Sequence, residues 1–331
     1  MTTLNTFKRD VPLEYFSPMA QEVIKKMDSW IELNFPDLDN KEWEIFKEGM
    51  FSPTFLVGKK HIVKVYVPKW DADRWDDEKY SNWINSAYHP SKEIYDFITN
   101  NFNYHDLTPQ FYFKDYDKTM QAPILIQDYI DSGTTLSSHF ESLNDKEKSL
   151  IVLSHADLLK KLHRNTSQGI GTYDTTILRD KLVDKFNKYE ADLTTKQKRF
   201  IEQIINNYSP RILVDNISLV HGDAHLSNVI IKDSKLFLID FDSARFAPVF
   251  TEIGAVILSH VLLKKYYQNE NNLSVGDDFK SLIKRYPQLM SKKYKKEIDL
   301  IVALRIITHI NEIGTNHNAK IALKYFFDFE E

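Results

Sequence analysis

One segment decides the fold: Ser218-Leu-Val-His221-Gly-Asp223-Ala-His225-Leu-Ser-Asn228-Val-Ile-Ile-Lys232-Asp-Ser-Lys235-Leu-Phe-Leu-Ile239-Asp240-Phe-Asp242. Two short apolar runs, 229–231 and 236–239, flank the polar turn 232–235. This pattern predicts a β-hairpin. Because a hairpin brings its outer ends together, we expect Asn228 and Asp240 to lie side by side.

The side chains at these ends suit a hard divalent cation. Amide and carboxylate oxygens, as in Asn228 and Asp240, are ligands that Mg²⁺ prefers, with waters and substrate phosphates completing its shell. A second carboxylate, Asp223, lies on the loop that enters the hairpin and is left to face an acceptor hydroxyl. Phosphoryl transfer requires this division of roles. The alternative is that these Asp and Asn residues only form turns.

The same residues resemble a known signature. His221-Gly-Asp223-x-His225-x-x-Asn228, followed by Ile239-Asp240-Phe-Asp242, is similar to the motifs of the aminoglycoside phosphotransferase and choline kinase families. These are small-molecule kinases with the protein-kinase fold. The resemblance covers about residues 43–265, and it implies that Asp223 is the catalytic base and that Asn228 and Asp240 hold Mg²⁺.

Four other polar residues accompany the signature. His221 and His225 could ligate zinc or iron together with an Asp, but the resemblance favours structural roles for both, with His221 anchoring the loop. Asp242 is expected to orient the loop or a metal-bound water. Arg245 is a candidate ion-pair partner for the acidic residues.

A kinase also needs a lysine for the α- and β-phosphates. Lys64 lies in the strand-like run 61–67, where a lone charge among Val and Ile is costly unless it is paired. It resembles the nucleotide-binding lysine, and a charge on an edge strand is the alternative. We favour Glu93, in the helix-like run 91–98, as its partner; Glu78 is the competitor.

Two further segments resemble nucleotide-contacting parts. The loop 47–54 carries one glycine where protein kinases have three, and Ser52 in it could contact phosphate or simply form a turn. After the strand 124–126, the run Gln127-Asp128-Tyr129-Ile130 resembles the hinge that binds a purine. The cofactor-binding residues expected there are Gln127 and Tyr129.

The segment after Asp242 is short. It runs through Ala247 and Pro248 to Glu252, with no room for the activation segment of a protein kinase. We therefore expect a small-molecule acceptor. Glu252 is interpreted as a carboxylate at a helix N-terminus or as an anchor of a loop.

The residue pattern changes from strand-like to helix-like along the chain. Between residues 43 and 130, runs rich in β-branched and aromatic residues predict an antiparallel sheet, with strands in 43–49, 54–57, 61–67, 111–113 and 124–126 and one helix near 91–100. After Gly133 the pattern is helical. Asn144 and Glu147 form a capping-box-like start, and further helices are expected at about 178–207, 251–267 and 291–313.

The expected fold is α+β and bilobal, like that of protein kinases: an antiparallel β-sheet lobe with one helix, then a larger, mainly helical lobe. We assign residues 1–130 to the nucleotide-binding lobe, including a helical extension over 1–40. Residues 131–331 form the catalytic and acceptor-binding lobe, and the triphosphate is expected between the two lobes.

Composition excludes several classes of protein. The 331 residues include no cysteine, which removes disulfides, thiolate metal sites and thiol nucleophiles. The 43 Lys and Arg are outnumbered by 47 Asp and Glu, so nucleic acid is not an expected partner. The longest strongly apolar run, 253–263, is too short for a membrane span. With no secretory signal at the start, the protein is expected to be cytoplasmic.

These inferences predict an enzyme that moves the γ-phosphate of ATP or GTP, with Mg²⁺, to a hydroxyl of a small molecule such as an antibiotic, amino alcohol, amino acid or sugar. It is expected to be a monomer or a homodimer. The alternatives are a non-catalytic nucleotide-binding scaffold and a protein Ser/Thr kinase.

Overall fold

An antiparallel sheet of five strands organises the first part of the chain. Its strands β1 to β5 span Trp43–Ile45, Thr54–Val57, His61–Val65, Phe111–Asp117 and Ala122–Asp128. Their spatial order is β1-β2-β3-β5-β4, and all neighbours are antiparallel. The predicted sheet is therefore confirmed.

The computed structural model describes residues 16–39, 41–45, 52–67, 89–101, 106–131, 133–141, 143–252 and 292–312. The chain divides into two compact units. The first comprises Met1–Thr135 and Ile230–Ser243, and the second comprises Leu136–Val229 and Ala244–Glu331.

In the described part of the first unit, two helices accompany the sheet. Helix α1 (Pro18–Asn34) begins where Ser17 accepts a hydrogen bond from the N–H of Ala20 at 3.1 Å, and proline follows the cap. Its apolar residues, among them Val23, Met27 and Trp30, form one core with the sheet residues Phe55, Val63 and Val65. Helix α2 (His89–Asn100) packs on β4, where the rings of Tyr95 and Phe111 lie 4.9 Å apart.

The predicted hairpin is present. Strand β9 (Val229–Lys232) pairs with β10 (Lys235–Leu238), and β9 also pairs with β6 (Thr134–Thr135). Asp233 and Ser234 form the turn with φ angles of 48° and 62°. Left-handed backbone at both central residues matches the twist of the strands, as in a type I′ hairpin.

The second unit is richer in helix. Among its described residues, the α-helices are α3 (Leu136–Glu141), α4 (Asp145–Asn165), α5 (Thr176–Tyr189), α6 (Thr195–Asn207) and α7 (Lys295–Glu312). Helix α4 begins with the predicted capping box, in which Asn144 and Glu147 bond reciprocally. The unit also contains a sheet in the order β11-β8-β7, built from Arg245–Pro248, Ile212–Val220 and Ile170–Asp174.

Two features differ from the sequence-based expectation. The helix expected over 178–207 is divided into α5 and α6, because Thr194 starts a new capping box with Gln197 after a 3₁₀ turn. The sheet of β7, β8 and β11 is not predicted from the sequence, and β7 shows why. Its exposed and half-buried residues give no apolar alternation, so pairing with β8 decides its structure.

Some predicted features lie outside the described residues: Glu78 with most of its insert, residues 47–51 of the loop predicted over 47–54, and most of the helix at 251–267. Within the ranges that the structure describes, no helix has both the length and the apolar character needed to cross a membrane.

Candidate active site

Strand β3 presents Lys64 on the sheet face away from the α1 core. Val63 and Val65 are fully buried in that core, and successive strand side chains alternate between faces. Lys64 lies between Thr54 on β2 and Leu125 on β5, so β3 is not an edge strand. Only 18% of its side chain is exposed, and a buried ammonium requires an anionic partner.

Two aspartates of the same unit provide the anions. The Nζ of Lys64 lies 2.5 Å from Oδ2 of Asp242 and 3.2 Å from Oδ1 of Asp240. Burial by itself would lower the pKa of Lys64, but the two carboxylates outweigh it and raise that pKa above its ordinary value. The lysine is therefore a fixed cation.

Two buried tyrosines hold Asp242 from the other side. The hydroxyls of Tyr66 and Tyr95 donate to its Oδ1 at 2.8 and 3.1 Å. Burial, followed by the negative charge of Asp242, raises the pKa of each phenol well above its usual value. Both hydroxyls therefore stay protonated and act as donors.

The segment that carries the aspartates is anchored by its central residue. Phe241 is fully buried, packs edge-on to Tyr95 and Phe111, and donates its N–H to the hydroxyl of Tyr95 at 3.0 Å. Asp240 adopts a left-handed backbone with a φ of 60°. Such strain persists only where the surroundings enforce it, and it is common at functional sites.

The expected partner of Lys64 lies elsewhere. Glu93 is exposed on α2, whereas Tyr95, two residues later, is buried. Residues that are two positions apart on a helix point in directions about 200° apart, so these two side chains lie on opposite faces. The structure does not bring Glu93 to Lys64, and the helix contributes a tyrosine to the cluster instead.

Ser52 lies two residues before the start of β2 and is 2% exposed. Its hydroxyl has no hydrogen-bond partner within the described part of the chain, while its carbonyl accepts from Thr54 at 3.3 Å. A buried hydroxyl without a partner is unusual. Its predicted contact with phosphate stays a prediction.

The hinge-like run follows β5. Gln127, half-buried, lies opposite Ile62 and Phe111 in the sheet. The N–H of Tyr129 donates to Lys60 O at 2.7 Å, and its carbonyl accepts from the N–H of Asp131 at 3.1 Å. The N–H of Tyr129 is engaged within the unit, so its predicted contact with a purine would use the second lone pair of its carbonyl oxygen or its side chain.

In the second unit, β8 leads into the loop 221–228. His221 is fully buried, and its Nδ1 accepts a hydrogen bond from the N–H of Asp223 at 3.4 Å. Gly222 has a φ of 78°, a conformation that favours glycine. Asp223 follows with its side chain 35% exposed.

A buried carboxylate fastens the start of this loop. Glu252 is 2% exposed; it accepts from the N–H of His221 and, at 3.0 Å, from that of Gly222. Nε2 of His163 on α4 lies 3.5 Å from it. Burial raises the pKa of Glu252, but the contacts with the two histidines outweigh this and lower it below its ordinary value.

Asn228 closes the loop. Its Nδ2 donates to the carbonyl of Asp223 at 3.0 Å, which leaves Oδ1 as its acceptor. Asp240, in the first unit, has a side chain 47% exposed. Both supply oxygen donors, so their chemistry fits Mg²⁺. A cation held by both stays a prediction.

The remaining predicted residues lie in the second unit. His225 caps the turn Leu226–Asn228 by accepting from Ser227 N–H at 3.2 Å, and its Nε2 is 3.5 Å from the Asp223 carboxylate. Arg245 is exposed at the start of β11, opposite Val220. Its predicted pairing with the acidic residues stays a prediction.

Three residues of the candidate site were not predicted from the sequence. Tyr66 and Tyr95 contact Asp242, and His163 contacts Glu252. Tyr66 shares the strand face of Lys64, which the alternation indicates. His163 follows Leu159 by four positions, on the buried stripe of α4. Tyr95 gave no separate signal because an aromatic residue on a buried helix face is ordinary core.

A family model described as the phosphotransferase enzyme family matches residues 42–262. A curated relative, a probable bifunctional tRNA threonylcarbamoyladenosine biosynthesis protein from Methanobrevibacter smithii, is 26% identical over 126 residues. That match covers 34% of this chain and 23% of the relative, so the chain spans about a quarter of that protein's length.

Solved structures share the fold. The GDP complex of wild-type aminoglycoside 2′-phosphotransferase-IIIa is 14% identical, and the superposition covers 89% of this chain and 94% of that one, with a TM-score of 0.56. For a glucosamine kinase the identity is 11%, the coverage 95% and 84%, and the TM-score 0.56. At these identities the likeness establishes the fold.

Proposed function

We propose, from the premise that the chain belongs to the phosphotransferase enzyme family, that it transfers the γ-phosphate of ATP or GTP to a hydroxyl of a small molecule. The observation that carries the proposal is the loop 221–228, whose start is held by Glu252 and whose partly exposed carboxylate is Asp223. A loop that is anchored by hydrogen bonds and carries an accessible carboxylate suits a catalytic base.

The Lys64 cluster supports nucleotide binding. Lys64 is a buried cation whose position is fixed by two aspartates, and a fixed ammonium suits the α- and β-phosphates of a nucleotide. Ser52, Gln127 and Tyr129 are proposed to contact the phosphates and the purine. The GDP complex of the aminoglycoside phosphotransferase with the same fold supports a nucleotide co-substrate.

In the proposed reaction, Asp223 orients the acceptor hydroxyl and takes its proton. The acceptor oxygen forms a bond to the γ-phosphorus, the bond from that phosphorus to the β–γ bridging oxygen breaks, and the nucleoside diphosphate leaves with the bridging oxygen. Lys64 offsets charge on the departing diphosphate.

Asn228 and Asp240 are the residues proposed to hold Mg²⁺. Their donors are an amide oxygen and a carboxylate, which fit that ion. When bound, Mg²⁺ would neutralise part of the negative charge of the phosphates.

The acceptor is proposed to be a small molecule with a free hydroxyl. The test is a transfer screen with γ-labelled ATP and GTP over aminoglycosides, macrolides, choline, ethanolamine, homoserine and sugars including glucosamine. Labelling of at least one of these acceptors supports the proposal. Labelling of protein Ser or Thr with no labelled metabolite, or nucleotide binding with no transfer at all, would contradict it.

A further inference from the structure

The carboxylate of Asp242 is held by three side chains. Both its oxygens are engaged: Oδ2 faces Lys64 at 2.5 Å, and Oδ1 accepts from Tyr66 and Tyr95 at 2.8 and 3.1 Å. A carboxylate fixed on both oxygens can hold a lysine in one position, because neither partner can turn without losing a charge-assisted bond.

Asp240 contrasts with Asp242. Its contact with Lys64 is longer, at 3.2 Å, and its side chain is 47% exposed against 28% for Asp242. The two aspartates therefore differ in what they can do. Asp240 is the more accessible carboxylate, whereas Asp242 lies deeper, against two buried phenols.

The contacts of helix α2 also indicate that Asp242, rather than Asp240, is the residue that positions Lys64. Its inward position is taken by Tyr95, while Glu93 is exposed. The ring of Tyr95 is fixed between Phe111 and Phe113, at centroid distances of 4.9 and 5.9 Å. The helix thus reaches Lys64 indirectly, through a tyrosine hydroxyl and the carboxylate of Asp242.

From this geometry we infer that Asp242, held by Tyr66 and Tyr95, is the positioning residue for Lys64 and takes the place expected for a helix glutamate. The inference rests on the proposed function, since it assigns Lys64 a nucleotide to bind. Asp242 acts through Lys64, so its loss should weaken nucleotide binding whether or not a divalent cation is present.

The test compares affinities for ADP by isothermal titration, with Mg²⁺ and with EDTA. Asp242→Asn should weaken binding about 10- to 100-fold in both conditions, the usual range for residues that orient a binding group. Asp96→Asn, a half-buried change on α2 that removes the ion pair with Lys92, is the matched control and should leave the affinity unchanged. Melting temperatures identify variants that fail to fold.

A double-mutant cycle separates positioning from general damage. If Asp242 acts through Lys64, Lys64→Met and the double variant Lys64→Met/Asp242→Asn should bind ADP equally weakly. Tyr66→Phe keeps the ring, removes one bond to Asp242, and should weaken binding several-fold. It keeps the test decisive if Asp242→Asn is unstable.

Five results would overturn the inference. Additive losses in the cycle would show that Asp242 does not act through Lys64, and a loss that vanishes in EDTA would assign Asp242 to the cation. If Glu93→Gln lowers the affinity for ADP as much as Asp242→Asn does, Glu93 and not Asp242 is the positioning residue. A native chain that binds no nucleotide would overturn the proposed function as well, whereas native binding with an unaffected Asp242→Asn overturns the inference alone.

Discussion

The carboxylate of Glu252 accepts a hydrogen bond from the backbone N–H of His221, the first residue of the loop that carries Asp223. Its other oxygen accepts from the next N–H, that of Gly222, at 3.0 Å. One buried side chain thus satisfies two consecutive buried donors. The conformation of the loop depends on a residue about thirty positions further along the chain.

Replacing Glu252 with Gln should destabilise the protein. The amide has one acceptor oxygen, so one buried N–H loses its partner, at a cost of about 1–3 kcal/mol. Transfer activity should fall further than stability alone explains. Urea unfolding and kcat measure the two effects. Glu202→Gln, an exposed change on α6, is the control, and an equally small effect of both substitutions would contradict the anchoring role.

The same carboxylate predicts a pH dependence. Its pKa in the folded protein lies below the ordinary value of 4.5, so in that range the unfolded chain binds more protons than the folded one. The stabilisation is therefore complete above about pH 4.5 and is lost as the pH falls through the lowered pKa. The free energy of unfolding should decline less steeply in acid for Glu252→Gln than for the native protein; identical slopes would count against the account.

Gly222→Ala should cost about 1–2 kcal/mol, because an L-residue at a φ of 78° is strained. Gly169 is a matched control, with a φ of 84° and no atom within 4 Å of an added Cβ. Both alanine variants should unfold more easily. Only Gly222→Ala should also lower kcat, since it deforms the loop beside Asp223, and comparing kcat at a temperature where both are folded checks this.

Ser52→Ala removes a buried hydroxyl that has no partner within the described residues. Its melting temperature should stay close to that of the native protein, because no hydrogen bond described in the fold is lost. The KM for the nucleotide should rise several-fold if the hydroxyl binds phosphate. Ser29→Ala, on the exposed side of α1, is the comparison; an unchanged KM for Ser52→Ala would remove Ser52 from the nucleotide site.

Much of the fold follows from local pattern. Strand β2 has the predicted bounds, the hairpin of β9 and β10 lies within a residue of them, and the capping box at Asn144 is present. Period-two alternation, turn residues and caps act over a few positions, so the sequence displays them directly. The break between α5 and α6 also has a local signal, the capping box of Thr194 and Gln197, which the helical pattern on either side obscures. The strand β7 has no such signal, because it depends on pairing with β8.

The parts of the candidate site that could be predicted are those whose residues are close together in the sequence. The loop 221–228 and the hairpin follow from spacing, but the partner of Lys64 does not. Asp242 lies 178 positions away from Lys64, and nothing local says that the hydroxyl of Tyr95 reaches the carboxylate of Asp242. Contacts of this kind depend on which helix face packs on β4, a property of the assembled fold.

The central claim is that Asp223 is the base of a phosphoryl transfer. The most direct measurement is the rate of γ-phosphate transfer at saturating nucleotide and acceptor for the native chain and for Asp223→Asn, with nucleotide affinity determined on the same samples. The account predicts a loss of about 10²- to 10⁴-fold in rate, with the affinity for nucleotide nearly unchanged. Equal transfer rates in the two proteins would contradict it.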